Sequence, residues 1–240
     1  MRLEQRFSRT ELLIGKEGIS KLSSSSVLIF GLGGVGSYAA EALARSGVGR
    51  LALVDGDTVS VSNINRQLHA MDDTVGMPKA GLMEDRIRRI NPGVRVTGHV
   101  MRYTPGNREY FFADRPDYVV DAIDDTEGKV DLIKYCHSSG IPVVSSMGAG
   151  NKLDPTLFRV GDISGTSVCP LARVVRRRLR QEGIISGVKV VYSVEAPVVR
   201  KGGEAPGENA TASISFVPPV AGMILAGVVV RDLLGILPGT

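Results

Sequence analysis

The 240-residue chain contains no tryptophan, and aromatic residues make up 5% of it. A surface that stacks the bases of single-stranded nucleic acid needs more aromatic side chains than this. The chain has two cysteines, Cys136 and Cys169. They exclude a disulfide framework and a four-thiolate zinc site, and they favour a reducing cytoplasm.

Long apolar runs are also scarce. Residues 220–230 are all apolar or glycine, but Arg231 ends the run, and a membrane-spanning helix needs about 20 residues. We therefore predict a helix that is buried or lies at a subunit interface, and no integral membrane segment. The first six residues lack an apolar signal core, so we expect a cytoplasmic location, with membrane association left open.

A hydrophobic content of 43% is enough for one sizeable core. The net charge of +4 and the sequence pI near 9.2 favour an anionic ligand only weakly, because such a charge also serves solubility. We expect a single domain, with a nucleotide-binding core at 1–150 and a substrate and dimer portion at 151–240.

Strand-like and helix-like segments alternate along the first part of the chain, which predicts an α/β fold with a mostly parallel sheet and helices on both faces. The predicted strands are 27–30, 51–55, 118–124 and 141–145, and the predicted helices cover 37–46 and the segment from Pro78 to Ile90. The remainder is less regular, with strands at 158–163 and 188–194, helices at 171–182 and from Pro218, and a mobile loop near 201–212.

A glycine-rich segment, Gly31-Leu32-Gly33-Gly34-Val35-Gly36, follows the first predicted strand and opens a helix. Glycines let the backbone approach a phosphate closely, and the helix N-terminus offers unpaired N–H groups to it. Asp55 ends the next strand, where a carboxylate suits ribose hydroxyls. This pattern predicts a nucleotide site but does not distinguish ATP from NAD.

Three charged residues favour ATP. Arg66 and Lys79 follow Asp55 along the chain, and clustered cations suit an enzyme that splits a triphosphate. Asp124, at the end of a later predicted strand, is a candidate Mg²⁺ ligand. Taken singly, these residues would be read as a surface arginine, a surface lysine and a helix-capping aspartate.

Most of residues 1–150 resembles the ubiquitin-activating-type adenylating enzymes, which include the molybdopterin-synthase and thiamine-sulfur-carrier adenylyltransferases. The matching segments are the glycine loop with Ser37, Gly47-Val48-Gly49, Asp55-Gly56-Asp57, Asn63 with Arg66-Gln67, Val75-Gly76 with Pro78-Lys79, Arg89-Ile90-Asn91-Pro92, and Asp121-Ala122-Ile123-Asp124. The resemblance implies a Rossmann-like, doubly wound fold with an irregular C-terminal extension.

The same resemblance assigns roles to individual residues. It implies catalytic roles for Arg66, Lys79 and Asp124, with Asp124 also holding the metal, and Arg9 donated to the partner subunit's site. The implied nucleotide-binding residues are Gly31, Gly33, Gly34, Gly36, Asp55, Asp57, Asn63 and Gln67.

Nearly the whole chain is similar to a narrower family, the tRNA threonylcarbamoyladenosine dehydratases. The segments that carry this likeness are Arg6-Phe7, 65–70, Met147-Gly148-Ala149-Gly150, Leu153-Asp154-Pro155-Thr156 and Tyr192-Ser193-Val194-Glu195. It implies ATP and Mg²⁺ as cofactors, a tRNA substrate whose threonyl carboxylate is adenylated and then cyclised, and a homodimer. A monovalent cation (K⁺ or Na⁺) and a cysteine desulfurase with its sulfur acceptor stay open.

Three other functions compete with this prediction. A sulfur-carrier adenylyltransferase would share the ATP site, but such enzymes often have paired Cys-x-x-Cys zinc motifs, which this chain lacks. A nucleotide-binding scaffold without catalysis would not need Arg66, Lys79 and Asp124. An NAD oxidoreductase would not need the clustered cations.

Four arginines, Arg173, Arg176, Arg177 and Arg180, fall on one face of the predicted helix 171–182. A solvated helix face is the ordinary explanation. Because no acidic residue interrupts the stripe, we expect these arginines to contact tRNA phosphates. Cys169 precedes the helix beside the arginines, and a catalytic thiol there is the minor alternative; a small packing residue is the favoured interpretation. Cys136 is predicted to be core.

Overall fold

The computed structural model describes residues 5–198 and 211–236. Within these ranges seven strands form one sheet in the order β3-β2-β1-β4-β5-β7-β6, and all neighbours are parallel except β6 and β7. The strands are β1 (Ser26–Phe30), β2 (Arg50–Val54), β3 (Arg95–His99), β4 (Tyr118–Asp121), β5 (Val143–Ser146), β6 (Phe158–Asp162) and β7 (Lys189–Ser193). The α/β prediction is confirmed.

Helices cover both faces of the sheet. They are α1 (Ser8–Ser24, with a break at Gly15), α2 (Gly36–Ser46), α3 (Lys79–Ile90), α4 (Arg108–Phe112), α5 (Thr126–Ser138), α6 (Pro170–Gln181) and α7 (Val217–Leu234). Alternate residues of β1 face opposite sides. Val27 and Ile29 pack with α1, α2, α3 and α7, whereas Leu28 and Phe30 pack with α4 and α5. A strand buried on both faces needs a continuous apolar run, as β1 has.

The second half of the chain extends this sheet and does not form a separate layer. β7 pairs in parallel with β5, and β6 adds an antiparallel edge strand. The helix α6 packs against α5 through Val175 and Leu179. Of the predicted mobile loop, residues 201–210 lie outside the described part of the chain.

Several boundaries differ from the prediction. Pro78 precedes α3 and is not its first residue, and β4 ends at Asp121, so residues 122–125 form a turn. The strand β3 was not predicted, because Thr97, Gly98 and His99 give it no apolar run. Cys136 is fully buried, and burial raises the pKa of its thiol to about 12, which agrees with a core position.

The apolar run 220–230 lies within α7, which is long and apolar enough to cross a membrane by length and composition. Its inner face nevertheless packs on α2. A Cβ on Gly222 would lie 2.2 Å from the carbonyl oxygen of Val35, so the two helices approach closely only because this residue is glycine. Asp232 also accepts hydrogen bonds from Tyr118 and Lys189, each at 2.5 Å. These contacts are those of a core helix.

Candidate active site

The glycine loop joins the end of β1 to α2. The N–H groups of Gly33 and Gly34 have no hydrogen-bond partner among the described residues, and no side chain caps α2. This leaves donors for an anion, as the sequence predicted. Gly36 has a different role from the predicted one. A Cβ there would lie 1.7 Å from the carbonyl oxygen of Gly31, so Gly36 closes the loop and does not line the cleft.

Asp55 ties the end of β2 to this loop. Its Oδ2 accepts the N–H of Leu32 at 2.6 Å, and its Oδ1 accepts the N–H of Asp57 at 2.8 Å. Burial raises the pKa of the carboxyl, and these two backbone hydrogen bonds oppose that rise. Asp55 therefore fixes the glycine loop and also lines the cleft, where its remaining lone pairs suit a ribose hydroxyl.

Lys79 and Asp57 form an ion pair at the same edge of the sheet. The Nζ atom of Lys79, the first residue of α3, lies 3.1 Å from Oδ2 of Asp57. Arg102 lies 2.7 Å from Oδ1 of the same carboxylate. Burial acts to raise the pKa of Asp57, but Lys79 and Arg102 outweigh it, and the pKa lies below its usual value. Asp57 thus forms ion pairs with both Lys79 and Arg102.

Arg66 and Gln67 line the cleft from the segment between β2 and α3. Arg66 donates from Nη1 to the carbonyl of Ser62 and to Oδ1 of Asn65, both at 2.8 Å. Gln67 is buried, and its Oε1 has no partner in the described chain. An orphaned buried acceptor is costly, so this oxygen suits a ligand donor. Asn63 shapes the segment by accepting the N–H of Ser60 at 3.1 Å, and it does not line the cleft.

Asp124 lies in the turn after β4, exposed and on the cleft wall. No hydrogen bond among the described residues occupies its carboxylate, whereas neighbouring Asp125 accepts the N–H of Gly128 and caps α5. In the described ranges no three His, Cys, Asp or Glu side chains gather into a metal cluster. Mg²⁺ is commonly held by one or two carboxylates together with substrate phosphates, so the free carboxylate of Asp124 fits such an ion.

These elements enclose a cleft of about 910 Å³ at the carboxyl ends of β1 and β4, where the strand order reverses. Open α/β sheets bind ligands at this switch point. Nine of the predicted residues line the cleft: Gly31, Gly33, Gly34, Asp55, Asp57, Arg66, Gln67, Lys79 and Asp124. The far wall is formed by residues 146–152, by the start of α6 at Cys169 and Pro170, and by Thr211 and Ser213.

Three cations near the cleft were not predicted from the sequence. Arg102 comes shortly after the strand β3. A prediction of a strand after α3, continuing the β-α-β alternation, would have placed Arg102 at the edge of the sheet that binds the ligand. Lys129 shares the apolar face of α5 with Leu132 and Ile133 and is fully buried, and its place on that face was the available signal. Lys152 donates to the carbonyl of Glu195 at 2.6 Å. The motif around Glu195 was the available sequence signal for this lysine.

Arg9 and the four predicted arginines of α6 lie outside the cleft, whereas Cys169 lies on its far wall. Arg9 is exposed on α1 and does not reach the cleft of its own chain. Cys169 is 2% exposed, which fits the packing interpretation. Arg173, Arg176, Arg177 and Arg180 line one shallow depression on α6, but they are not equivalent. Arg176 is half-buried and donates to Thr166, with 2.7 Å to its carbonyl oxygen, whereas the other three are exposed.

A doubly wound sheet with a glycine loop, a buried lysine and a free aspartate at its switch point defines a nucleotide-binding α/β protein equipped for a triphosphate. The chain belongs to the ThiF family, whose model matches residues 7–240. The predicted membership in the adenylating superfamily is confirmed.

Comparison with individual proteins shows which members of the family the chain resembles. The chain is 51% identical to the tRNA threonylcarbamoyladenosine dehydratase of Bacillus subtilis, over 95% of this chain and 94% of that protein. The crystal structure of the Escherichia coli tRNA N6-threonylcarbamoyladenosine dehydratase in complex with ATP matches with a TM-score of 0.88 and 38% identity, over 97% of this chain and 95% of that chain. The predicted likeness to this narrower family is confirmed.

The molybdopterin-synthase adenylyltransferase of Escherichia coli is more distant. It is 36% identical over 65% of this chain and 64% of that protein.

Proposed function

We propose that this protein uses ATP to activate the threonyl carboxylate of tRNA threonylcarbamoyladenosine and then closes the activated group into a ring. The observation that carries the proposal is the convergence of Arg66, Lys79 and Asp124 beside the glycine loop in one cleft. The relative from Bacillus subtilis, at 51% identity over nearly the whole of both chains, supports the choice of substrate.

The reaction takes two steps. A carboxylate oxygen of the threonyl group attacks the α-phosphorus of ATP, the bond to the β-phosphate breaks, and pyrophosphate leaves. The carbamoyl group then attacks the acyl carbon, loses a proton to solvent, and expels AMP. Adenylation turns a poor leaving group into a good one, and the second nucleophile is intramolecular, so it needs no encounter.

The residues divide this work. The free N–H groups of Gly33 and Gly34 bind phosphate oxygens, and Asp55 binds the ribose. Lys79 and Arg66 stabilise the negative charge that develops on the phosphates, where such groups act most strongly. Mg²⁺ neutralises phosphate charge when bound, and Asp124 is the residue that would hold it.

The protein is further proposed to act as a cytoplasmic homodimer in which Arg9 enters the partner's cleft. Its exposed position on α1, outside its own cleft, supports this role. The arginines of α6 are proposed to contact tRNA phosphates. The first residue of α6, Pro170, lies on the cleft wall, and Arg173, Arg177 and Arg180 follow on the same helix, which supports a contact with RNA that is bound in the cleft.

The test compares acceptors under identical conditions. Pyrophosphate release from ATP is measured with tRNA carrying threonylcarbamoyladenosine, with unmodified tRNA, and with a diglycine-ended carrier protein. The proposal expects release with the modified tRNA alone, together with loss of one water from the modified nucleoside by mass spectrometry. Release only with the carrier protein would establish the adenylyltransferase function instead.

A further inference from the structure

A charged pair is buried beneath the cleft and takes no part in the roles above. Lys129 of α5 and Asp121 of β4 are both fully inaccessible to solvent. The Nζ atom of Lys129 donates to Oδ2 of Asp121 at 2.8 Å, to Oγ of Ser145 at 3.2 Å and to the carbonyl oxygen of Ser146 at 3.0 Å. Each proton of the ammonium group therefore has an acceptor.

Stability alone is a weak reason for such a pair. Removing two charges from water costs free energy that their attraction only partly returns, and an apolar pair of similar volume is often as stable. What the ion pair adds is direction, because its hydrogen bonds fix particular atoms relative to one another.

The atoms that it fixes belong to the cleft. Lys129 binds the last residues of β5, where Ser146 begins the far wall. The second oxygen of Asp121, Oδ1, accepts the N–H of Ile123 at 3.1 Å, in the turn that carries Asp124. Ser145 joins the two strands by donating to Asp121 at 2.5 Å.

We propose that Lys129 and Asp121 are positioning residues for the reaction. They lock the carboxyl ends of β4 and β5 together, so that Asp124 and the segment 146–150 face each other across the cleft at a fixed separation. The reaction named here rests on the proposed function. The positioning itself concerns the cleft walls and can be measured without turnover.

The decisive variant removes both charges together. In Asp121→Asn/Lys129→Met no charge is left unpaired, so we expect a smaller loss of thermal stability than in either single variant. We expect kcat for pyrophosphate release to fall about tenfold or more, with the KM for ATP changed less than about threefold, because geometry and not binding is lost. Amide hydrogen exchange should rise in 122–125 and 146–150 and stay unchanged in β2 and α3.

A matched control removes an exposed ion pair from the same helix. Lys134 of α5 pairs with Glu182 at the surface, and Lys134→Met/Glu182→Gln should leave kcat and hydrogen exchange unchanged. Wild-type kcat and exchange in the buried double variant would overturn the proposal and leave the pair a stability feature.

A milder variant covers the case in which the double variant does not fold. Ser145→Ala keeps both charges and removes only the hydroxyl between them, and it should lower kcat severalfold at an unchanged KM for ATP. Wild-type kcat in Ser145→Ala, with the double variant unfolded, would equally overturn the proposal. If wild-type protein releases no pyrophosphate with modified tRNA, the proposed function fails, and the exchange measurements still decide the positioning role.

Discussion

The Nζ atom of Lys79 lies 3.1 Å from Oδ2 of Asp57, and the lysine side chain is 7% exposed, against 45% for the aspartate. A cation this buried is poorly screened by solvent, so it acts strongly on charge inside the cleft. Asp57, whose pKa is lowered, holds the lysine in place at neutral pH before any ligand arrives. The phosphate-binding charge is therefore preorganised.

Replacing Lys79 by alanine should accordingly lower the rate of pyrophosphate release by roughly 10²–10³, as should Arg66→Ala and Asp124→Ala. Circular dichroism should show an intact fold in each. Lys134→Ala is the matched control, since Lys134 is exposed and pairs with Glu182 on the surface. Wild-type turnover in all three cleft variants would place the chemistry elsewhere.

The site residues in the first half of the chain could be predicted because their sequence signals are local. Gly31 to Gly36, Asp55 and Asp124 each follow a buried apolar strand, and the carboxyl ends of parallel strands meet at one edge of a sheet. Local sequence patterns do not distinguish the roles of the two glycines: Gly33 lines the cleft, whereas Gly36 packs against Gly31. That distinction depends on atoms brought together by the turn.

The far wall could not be predicted in the same way. Its residues come from 146–152, α6 and the segment before α7, which approach one another only through the order of β5, β7 and β6. The difference between Arg176 and its neighbours likewise depends on Thr166, ten residues earlier along the chain. Helical spacing shows which arginines share a face but not which of them are already paired.

ATP with Mg²⁺ should raise the thermal midpoint clearly more than NAD at the same concentration. A ligand that binds only the folded state stabilises it by an amount that grows with the logarithm of the ratio of its concentration to its Kd, and the cations of the cleft suit three phosphates better than a dinucleotide. Differential scanning fluorimetry measures both shifts, and Lys79→Ala should reduce the ATP shift. A larger shift with NAD would contradict the ATP assignment.

Stability should fall with acidification because of His69. This residue is 3% exposed, and neither ring nitrogen has a partner within the described residues. Burial, together with the charges of Lys79 and Arg86, lowers its pKa from 6.5 to about 4. Between pH 6.5 and about 4 the unfolded chain therefore binds a proton at His69, whereas the folded chain does not. His69 contributes its stability fully above pH 6.5, and this is lost as pH falls toward 4.

Urea unfolding across that window should show the free energy of unfolding falling with a slope of up to about 1.4 kcal/mol per pH unit. His69→Leu keeps an apolar side chain of similar size and should flatten the slope. His137→Leu, at an exposed position, controls for the loss of one imidazole. An unchanged slope in His69→Leu would assign the acid sensitivity to other groups.

The trans role of Arg9 can be tested by mixing two inactive variants. If Arg9 of one subunit completes the cleft of its partner, a dimer of Arg9→Ala with Lys79→Ala contains one intact cleft, built from Lys79 of the first chain and Arg9 of the second. Mixed and re-equilibrated subunits should then recover up to about one quarter of wild-type activity per subunit, by random pairing into a two-fold dimer. Absence of recovery in verified heterodimers would rule out action in trans.

The arginine stripe makes the last prediction. Arg177 and Arg180 are exposed beside the same depression, and no acidic side chain in the described chain lies within salt-bridge distance of them. Arg176 is unsuitable for the test, because its guanidinium already donates to Thr166 and its loss would disturb the fold. Arg178 is exposed on the same helix but does not line the depression, so it is the matched control.

If the stripe follows the RNA backbone, Arg177→Gln/Arg180→Gln should weaken tRNA binding and flatten its salt dependence. Each lost phosphate contact lowers the slope of log K against log salt by about 0.7–0.9, so two contacts change it by about 1.4–1.8. Arg178→Gln should alter neither quantity, and ATP affinity should be unchanged in both variants, because the glycine loop lies on another part of the sheet. Filter binding at several salt concentrations measures the slope. Equal slopes in the double variant and wild type would make the stripe an ordinary solvated face, while a joint loss of ATP binding would show that α6 supports the cleft and does not contact RNA.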